Sequence, residues 1–209
     1  MPQSSYSFSD LYELDSSNIN MSVKVAMNAF QDDPLFSQLF PDDEIRKKKN
    51  PCLFEFAVKF GLRYGQVYSP SEDIEGFCVW EMPESAQWTI SRMWRVGAFK
   101  VARILGLKFI VQYISGLNIV EKYHKKLAPK NHIYLSLIAV SPEQQGKGVA
   151  SQLLRPMLKR CDQKQLSSYL ETTKEENISL YQHFGYQLVK EIVFPNTTAK
   201  VWMMLRNPK

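Results

Sequence analysis

The stretch from Ile133 to Ala150 constrains this chain more than any other. Ile133–Val140, IYLSLIAV, is a nearly continuous apolar run, the pattern of a central strand buried on both faces. Pro142 cannot continue a strand ladder, so the strand ends there. Gly146, Gly148 and Ala150 then remove side-chain bulk at alternate positions of a turn that leads into a helix. Small residues let backbone N–H groups approach a ligand closely, and the first turn of a helix leaves its amides unpaired. Both features suit a phosphate or pyrophosphate, and Lys147 adds a positive charge. The same spacing also describes a glycine-softened turn with no ligand. A Walker A loop is excluded, because Lys147 is followed by Gly148 and not by Ser or Thr. A dinucleotide fingerprint would read Gly146-x-Gly148-x-x-Ser151 with Glu171 on the ribose. Too little chain follows Glu171 for the further strand–helix units that such a fold builds.

Around this segment the pattern predicts one α/β domain over 1–209, with a mixed sheet. Ser7–Leu14 alternates and reads as a strand, and Ile19, Val23, Met27 and Phe30 mark an amphipathic helix that Asp32-Asp33-Pro34 breaks. A second helix runs from near Asp42 to Phe60, with Pro51 as a local disturbance. Gly65–Tyr68 and Ile74–Trp80 form two strands about the turn Ser69–Asp73. Gln87–Leu127 is helical in pieces broken near Gly106 and Gly116, with Trp94, Phe99, Ile104, Phe109 and Tyr113 facing the core. After the glycine turn come a helix with Pro156 inside it, a short strand Tyr169–Glu171 and a helix Glu175–Phe184. A closing hairpin pairs Gln187–Phe194 with Lys200–Leu205.

A hydrophobic share of 44% lets 209 residues bury a core without staples, and Cys52, Cys78 and Cys161 form no CxxC pair. His124, His132 and His183 have no metal-ligand spacing, so no metal is expected, and a structural or exposed role is. No basic segment followed by an apolar core opens the chain, and Ile104–Val120 is interrupted by Lys108, Gln112 and Asn118. A cytoplasmic protein with no membrane contact is the expectation. The chain carries net +5, and 86–130 alone holds nine Lys and Arg against one acid, Glu121. That segment reads as a solvated helix face or, as a rival, a nucleic-acid-binding surface. No basic–aromatic RNA motif or helix-turn-helix signature supports the rival.

Gln145-Gly146-Lys147-Gly148-Val149-Ala150 resembles the Q/R-x-x-G-x-G/A signature of the GCN5-related N-acetyltransferase (GNAT) family, which binds the pyrophosphate of acetyl-CoA. Downstream, Asn177-x-x-x-Tyr181-x-x-x-Gly185-Tyr186 is similar to the same family's second region, with Tyr186 where Phe is usual. His132–Arg206 is most similar to the puromycin N-acetyltransferase branch, through HIYL, VSP, LRP, YLET and VWMM. Asp32-Asp33-Pro34 and Trp80-Glu81-Met82-Pro83 extend that likeness weakly. The resemblance implies a GNAT fold: a mostly antiparallel sheet flanked by helices, with a helical insert before the central strand.

It also implies an acyltransferase that moves the acetyl group of acetyl-CoA to a primary amine of a small molecule, by direct attack in a ternary complex. The cofactor would lie on the backbone of Ile138, Ala139 and Val140 and on Gln145, Gly146, Lys147, Gly148, Val149, Ala150, Ser151, Asn177 and Tyr181. Ile138 and Val140 would be the amide donors. Tyr181, a phenol protonated at neutral pH, is the candidate acid for the leaving thiolate. Glu171 is the first candidate base and Glu81 the second. Two alternatives stay open, an acyl-CoA sensor and an inactive scaffold of the same fold. A homodimer is possible.

Overall fold

The computed structural model describes residues 7–83 and 88–209, so the expected helical start at Gln87 lies outside the described residues. The helices are α1 (Ile19–Ala29), α2 (Pro34–Leu39), α3 (Asp43–Tyr64), α4 (Ile90–Arg95), α5 (Ala98–Leu105), α6 (Leu107–Leu127), α7 (Val149–Lys164) and α8 (Glu176–His183). The strands are β1 (Tyr12–Glu13), β2 (Gln66–Ser69), β3 (Gly76–Glu81), β4 (His132–Val140), β5 (Ser167–Thr172), β6 (Gln187–Val193) and β7 (Lys200–Arg206). They form one sheet in the order β1-β2-β3-β4-β5-β7-β6. Every neighbouring pair is antiparallel except β4 and β5. A parallel pair needs a crossover, and α7 supplies it. The result is the mixed α/β architecture read from the sequence.

The two faces of the sheet carry separate cores. On the first, α7 and α8 set Leu153, Leu154, Met157 and Tyr181 against Cys78, Trp80, Leu135, Leu170 and Met204. Cys161 is buried there, and burial pushes its thiol up to about 11, so it packs and does not react. On the second face, α1 and α3 cover Val67, Phe77, Val79 and Ala139. Farther along that face α6 crosses β5 and β7, where its Tyr113 lies 6.2 Å from Phe194.

Several expectations are corrected. Only Tyr12–Glu13 of Ser7–Leu14 is a strand. Asp10 accepts the Ser7 N–H at 2.9 Å and closes a 3-10 turn over Phe8–Asp10 instead. Asp32-Asp33-Pro34 ends one helix and begins another: Asp33 caps α2 by accepting from Leu35 and Phe36, and Pro34 occupies the first turn, where its missing N–H costs nothing. Pro51 and Pro156 lie inside helices that run on through them. The insert breaks at Gly106 (φ +85°) but not at Gly116, which sits within α6 because a Cβ there would overlap the Phe194 ring. Finally, β4 is not buried on both faces, since Ser136, Leu137, Ile138 and Val140 are only half-buried.

Candidate active site

The half-exposure of β4 has a cause in strand pairing. β4 and β5 pair in parallel from His132↔Ser167 to Leu135↔Leu170, and there the pairing stops. Beyond that fork β4 stays on β3, whereas β5 follows β7 through Thr172↔Trp202. A wedge-shaped gap opens between Ser136–Val140 and the end of β5. The Ser141 N–H donates to the Glu75 carbonyl on the β3 side at 2.9 Å. Antiparallel strands alternate, so the N–H groups of Ala139 and Leu137 also turn toward β3, and those of Ile138 and Val140 point into the gap. Ala139 thus stands apart from its neighbours, with its methyl buried in the second-face core.

The turn after β4 continues this row of donors. Gly146 (φ +75°) and Gly148 (φ +88°) take left-handed conformations that other residues adopt at a cost. A Cβ at either would meet nothing within 4 Å, so the backbone, not crowding, calls for glycine. Gln145 pins the turn by donating its Nε2–H to the Val140 carbonyl at 3.2 Å. α7 begins with no side-chain cap. Among the described residues the N–H groups of Val149, Ala150 and Ser151 have no backbone acceptor. The Lys147 side chain is exposed beside them.

Tyr181 and Asn177 share one side of α8. Tyr181 is buried in the first-face core, with Ile138 and Val140 packed against the same cluster, and its ring meets Tyr186 edge-on at 6.0 Å. Burial holds its phenol above the ordinary value and therefore protonated. Asn177 donates from Nδ2 to Thr172 Oγ1 at 3.3 Å, tying α8 to the end of β5.

Both candidate bases lie on the opposite face, and a bulge puts them in company. Val79 pairs with Leu137 but Trp80 pairs with Leu135, so Ser136 is an extra residue on β4. The bulge reverses the alternation: Leu135 and Ile133 join the first-face core, and Tyr134 turns to the second face between Glu81 and Glu171. The Tyr134 hydroxyl donates to Glu171 Oε2 at 2.6 Å, and His124 of α6 brings Nδ1 to 4.0 Å from Glu171 Oε1. Glu81, 1% exposed, accepts from Trp88 Nε1 at 2.9 Å, and the Trp88 ring stacks on Phe60 at 4.0 Å. One oxygen of each carboxylate, Oε1 of Glu81 and Oε1 of Glu171, has no hydrogen-bond partner among the described residues.

Burial dominates the protonation of this pair. It raises Glu81 to about 7, against the opposing pull of the Trp88 N–H, and it raises Glu171 despite His124 and the Tyr134 hydroxyl. The histidines divide between the two expected roles: His183 is exposed, and His124 and His132 are packed beside this pair. His124 stacks on Tyr169 at 4.2 Å, and its Nε2 lies 2.7 Å from His132 Nε2, while His132 Nδ1 meets the Pro129 carbonyl at 2.7 Å. Nothing in the sequence spacing of 124, 132 and 171 announces this chain of groups. Among the described residues no group of three His, Cys, Asp or Glu is arranged to hold a metal.

The architecture is shared with characterised folds. Histone acetyltransferase HPA2 and related acetyltransferase from Corynebacterium glutamicum superposes with a TM-score of 0.63 at 20% identity, over 95% of this chain and 96% of that one. The ribosomal-protein-S18-alanine N-acetyltransferase from Escherichia coli gives 0.51 at 12% identity, over 94% and 92%. In sequence, an uncharacterized N-acetyltransferase of Schizosaccharomyces pombe is 28% identical over 192 residues, 88% of this chain and 77% of its own length. The acetyltransferase (GNAT) family model matches residues 75–186, which take in β3, the insert, the fork, the glycine turn and α8. By that match over more than half of its length, the chain belongs to the GNAT acetyltransferase family.

Proposed function

We propose that this protein transfers the acetyl group of acetyl-CoA to a primary amine of a small molecule, with both substrates bound together. The observation that carries the reading is the gap between β4 and β5, which opens the sheet between a row of free amides and a pair of buried carboxylates. The α7 amides from Val149 to Ser151, with Gly146, Lys147 and Gly148, suit a pyrophosphate. The Ile138 and Val140 amides suit the extended arm and the thioester carbonyl, where a preorganised donor contributes about 3 kcal/mol as charge develops on oxygen. Among the residues assigned to acetyl-CoA, Ala139 contributes by keeping its two neighbours turned to the gap, and Asn177 by fixing α8 against β5.

The amine enters from the α6 face. Glu171, at the fork, takes the proton that the amine loses, directly or through a water, and Glu81 holds the ammonium before transfer or serves in its place. Burial raises both carboxyls above their ordinary value, Glu81 to about 7, which brings a base closer to its working pH. Tyr181 stands on the other side of the sheet and donates its phenolic proton to the departing thiolate, so CoA leaves as the thiol. Holding amine and thioester in one complex supplies much of the remaining acceleration. The test is acetyl-CoA binding and CoA release across a panel of small amines, polyamines and aminonucleosides. Tyr181→Phe is expected to lower kcat about tenfold or more, a larger loss than that in acetyl-CoA affinity. Tight acetyl-CoA binding with no transfer to any amine would instead identify an acyl-CoA sensor.

A further inference from the structure

The insert leaves large apolar side chains in water, among them Trp94 and Phe99, which the sequence assigns to the core. Leu107 is 76% exposed and Phe99 62%, and Ile90, Trp94, Val111 and Ile114 are exposed with them. They fall in two runs, one on α4 and α5 and one on α6. Ile90 and Trp94 lie one turn apart on α4, the Trp94 ring stacks on Phe99 at 5.9 Å, and Leu107, Val111 and Ile114 follow one stripe of α6. At Gly106 the chain bends by 119° between α5 and α6, which places Leu107 at the point of an elbow. Among the described residues no single helix is long and apolar enough to cross a membrane, while α5 and α6 together reach that apolarity.

The charge on the same helices is of one sign. Between Trp88 and Val120 there are five Lys and Arg and no Asp or Glu. Lys100 is engaged with Glu55 at 2.6 Å, and Arg92 lies over the Tyr64 ring. Arg95, Arg103 and Lys108 have no carboxylate within ion-pair distance among the described residues. A second copy of the chain docked by a two-fold axis would set these cations against themselves with no acid between them. A nucleic acid would satisfy the cations and leave the aliphatic elbow wet. An anionic bilayer satisfies both at once, with headgroup phosphates for the cations and the acyl boundary for the apolar tip.

We propose that the α4–α6 elbow docks this protein on an anionic lipid surface, with Leu107, Phe99 and Trp94 entering the headgroup boundary and Arg95, Arg103 and Lys108 meeting lipid phosphates. The full chain is sedimented with phosphatidylcholine vesicles with and without phosphatidylserine, over a salt series. Binding is expected only with phosphatidylserine and weakens as salt rises. The double variant Arg103→Glu/Lys108→Glu, and separately Leu107→Asp, each lower the partition coefficient about tenfold or more. Lys159→Glu/Lys164→Glu, exposed changes on α7, leave it unchanged. All these positions are exposed, so matching melting curves establish that each variant is folded. Three results would each overturn the proposal. One is no binding to anionic vesicles, and another is binding indifferent to Leu107→Asp. The third is a concentration-dependent dimer in ultracentrifugation that Leu107→Asp dissolves. Binding to a DNA duplex that fails with the charge reversals but survives Leu107→Asp would also transfer the face to nucleic acid. None of these readouts involves acetyl-CoA, so they stand apart from the transfer reaction.

Discussion

Replacing Glu81 by Gln is expected to make the protein more stable and less active, with a stability gain that appears only as pH rises. Glu81 is raised from an ordinary 4.5 to about 7 by burial. The folded carboxyl keeps its proton where the unfolded chain has lost it, so stability falls through the interval from 4.5 to about 7. Below that interval the cost of the buried charge is absent, and above it the full cost is present, about 3 kcal/mol. Gln has nearly the same shape, accepts the Trp88 N–H through its amide oxygen and never ionises. The Gln variant should therefore match the parent near pH 4 and exceed it by up to about 3 kcal/mol near pH 8, a Tm gain of about 6–12 °C for a chain of this size. Thermal unfolding followed by circular dichroism at both pH values measures the difference, alongside CoA release at the higher pH. A Gln variant destabilised equally at both values would refute the reasoning, because the cost would then lie in shape or hydrogen bonding and not in buried charge.

Activity itself should fall on the acid side as the buried carboxyls regain their protons, since a base must be ionised to act. The acid limb of kcat/KM is expected above the ordinary carboxylate range in the parent, and Glu171→Gln should remove most of the rate. Gly148→Asp sets a carboxylate at the α7 N-terminus in a left-handed conformation. It should abolish the rise in Tm that acetyl-CoA gives the parent while costing about 1–2 kcal/mol of intrinsic stability. Asp162→Ala strands the buried Arg206 guanidinium, which now makes two 2.8 Å bonds to that carboxylate, and should cost about 3–5 kcal/mol in a denaturant titration. Burial raises Asp162, but Arg206 and the Lys209 N–H outweigh it and hold the carboxyl below its ordinary value. The pair's contribution is therefore full above that value and is lost as pH falls through the lowered one. Gly116→Ala pushes a methyl into the Phe194 ring and should destabilise by about 1–3 kcal/mol by the same titration.

How much of this was legible in the sequence depends on how local each cause is. The Ile133–Val140 run, the stop at Pro142 and the glycines before α7 act within a few residues, through backbone geometry and a missing N–H. The strand, the glycine turn and the helix after it could all be read in order, while the left-handed φ of Gly146 and Gly148 came only with the structure. The closing hairpin was legible for the same reason. The misreadings arose where a residue's role depends on a distant partner. Gly116 signals a helix break by composition, but the Phe194 ring beside it makes it a packing position. The aromatic residues of α4 and α5 look like core by period, and among the described residues no other element covers Trp94 and Phe99.

The sequence by itself determined the element order, the place of the central strand and the run of small residues that opens α7, because propensity, steric freedom and hydrophobic period are properties of neighbours along the chain. Only the tertiary structure decided which groups meet. The fork arises because β5 leaves β4 to follow β7, and the Ser136 bulge shifts the register by one residue. In a strand of period two, one residue moves every earlier side chain to the other face, which is what turns Tyr134 toward Glu81 and Glu171. A register is set by pairing energies across separate strands, and no window of sequence contains them.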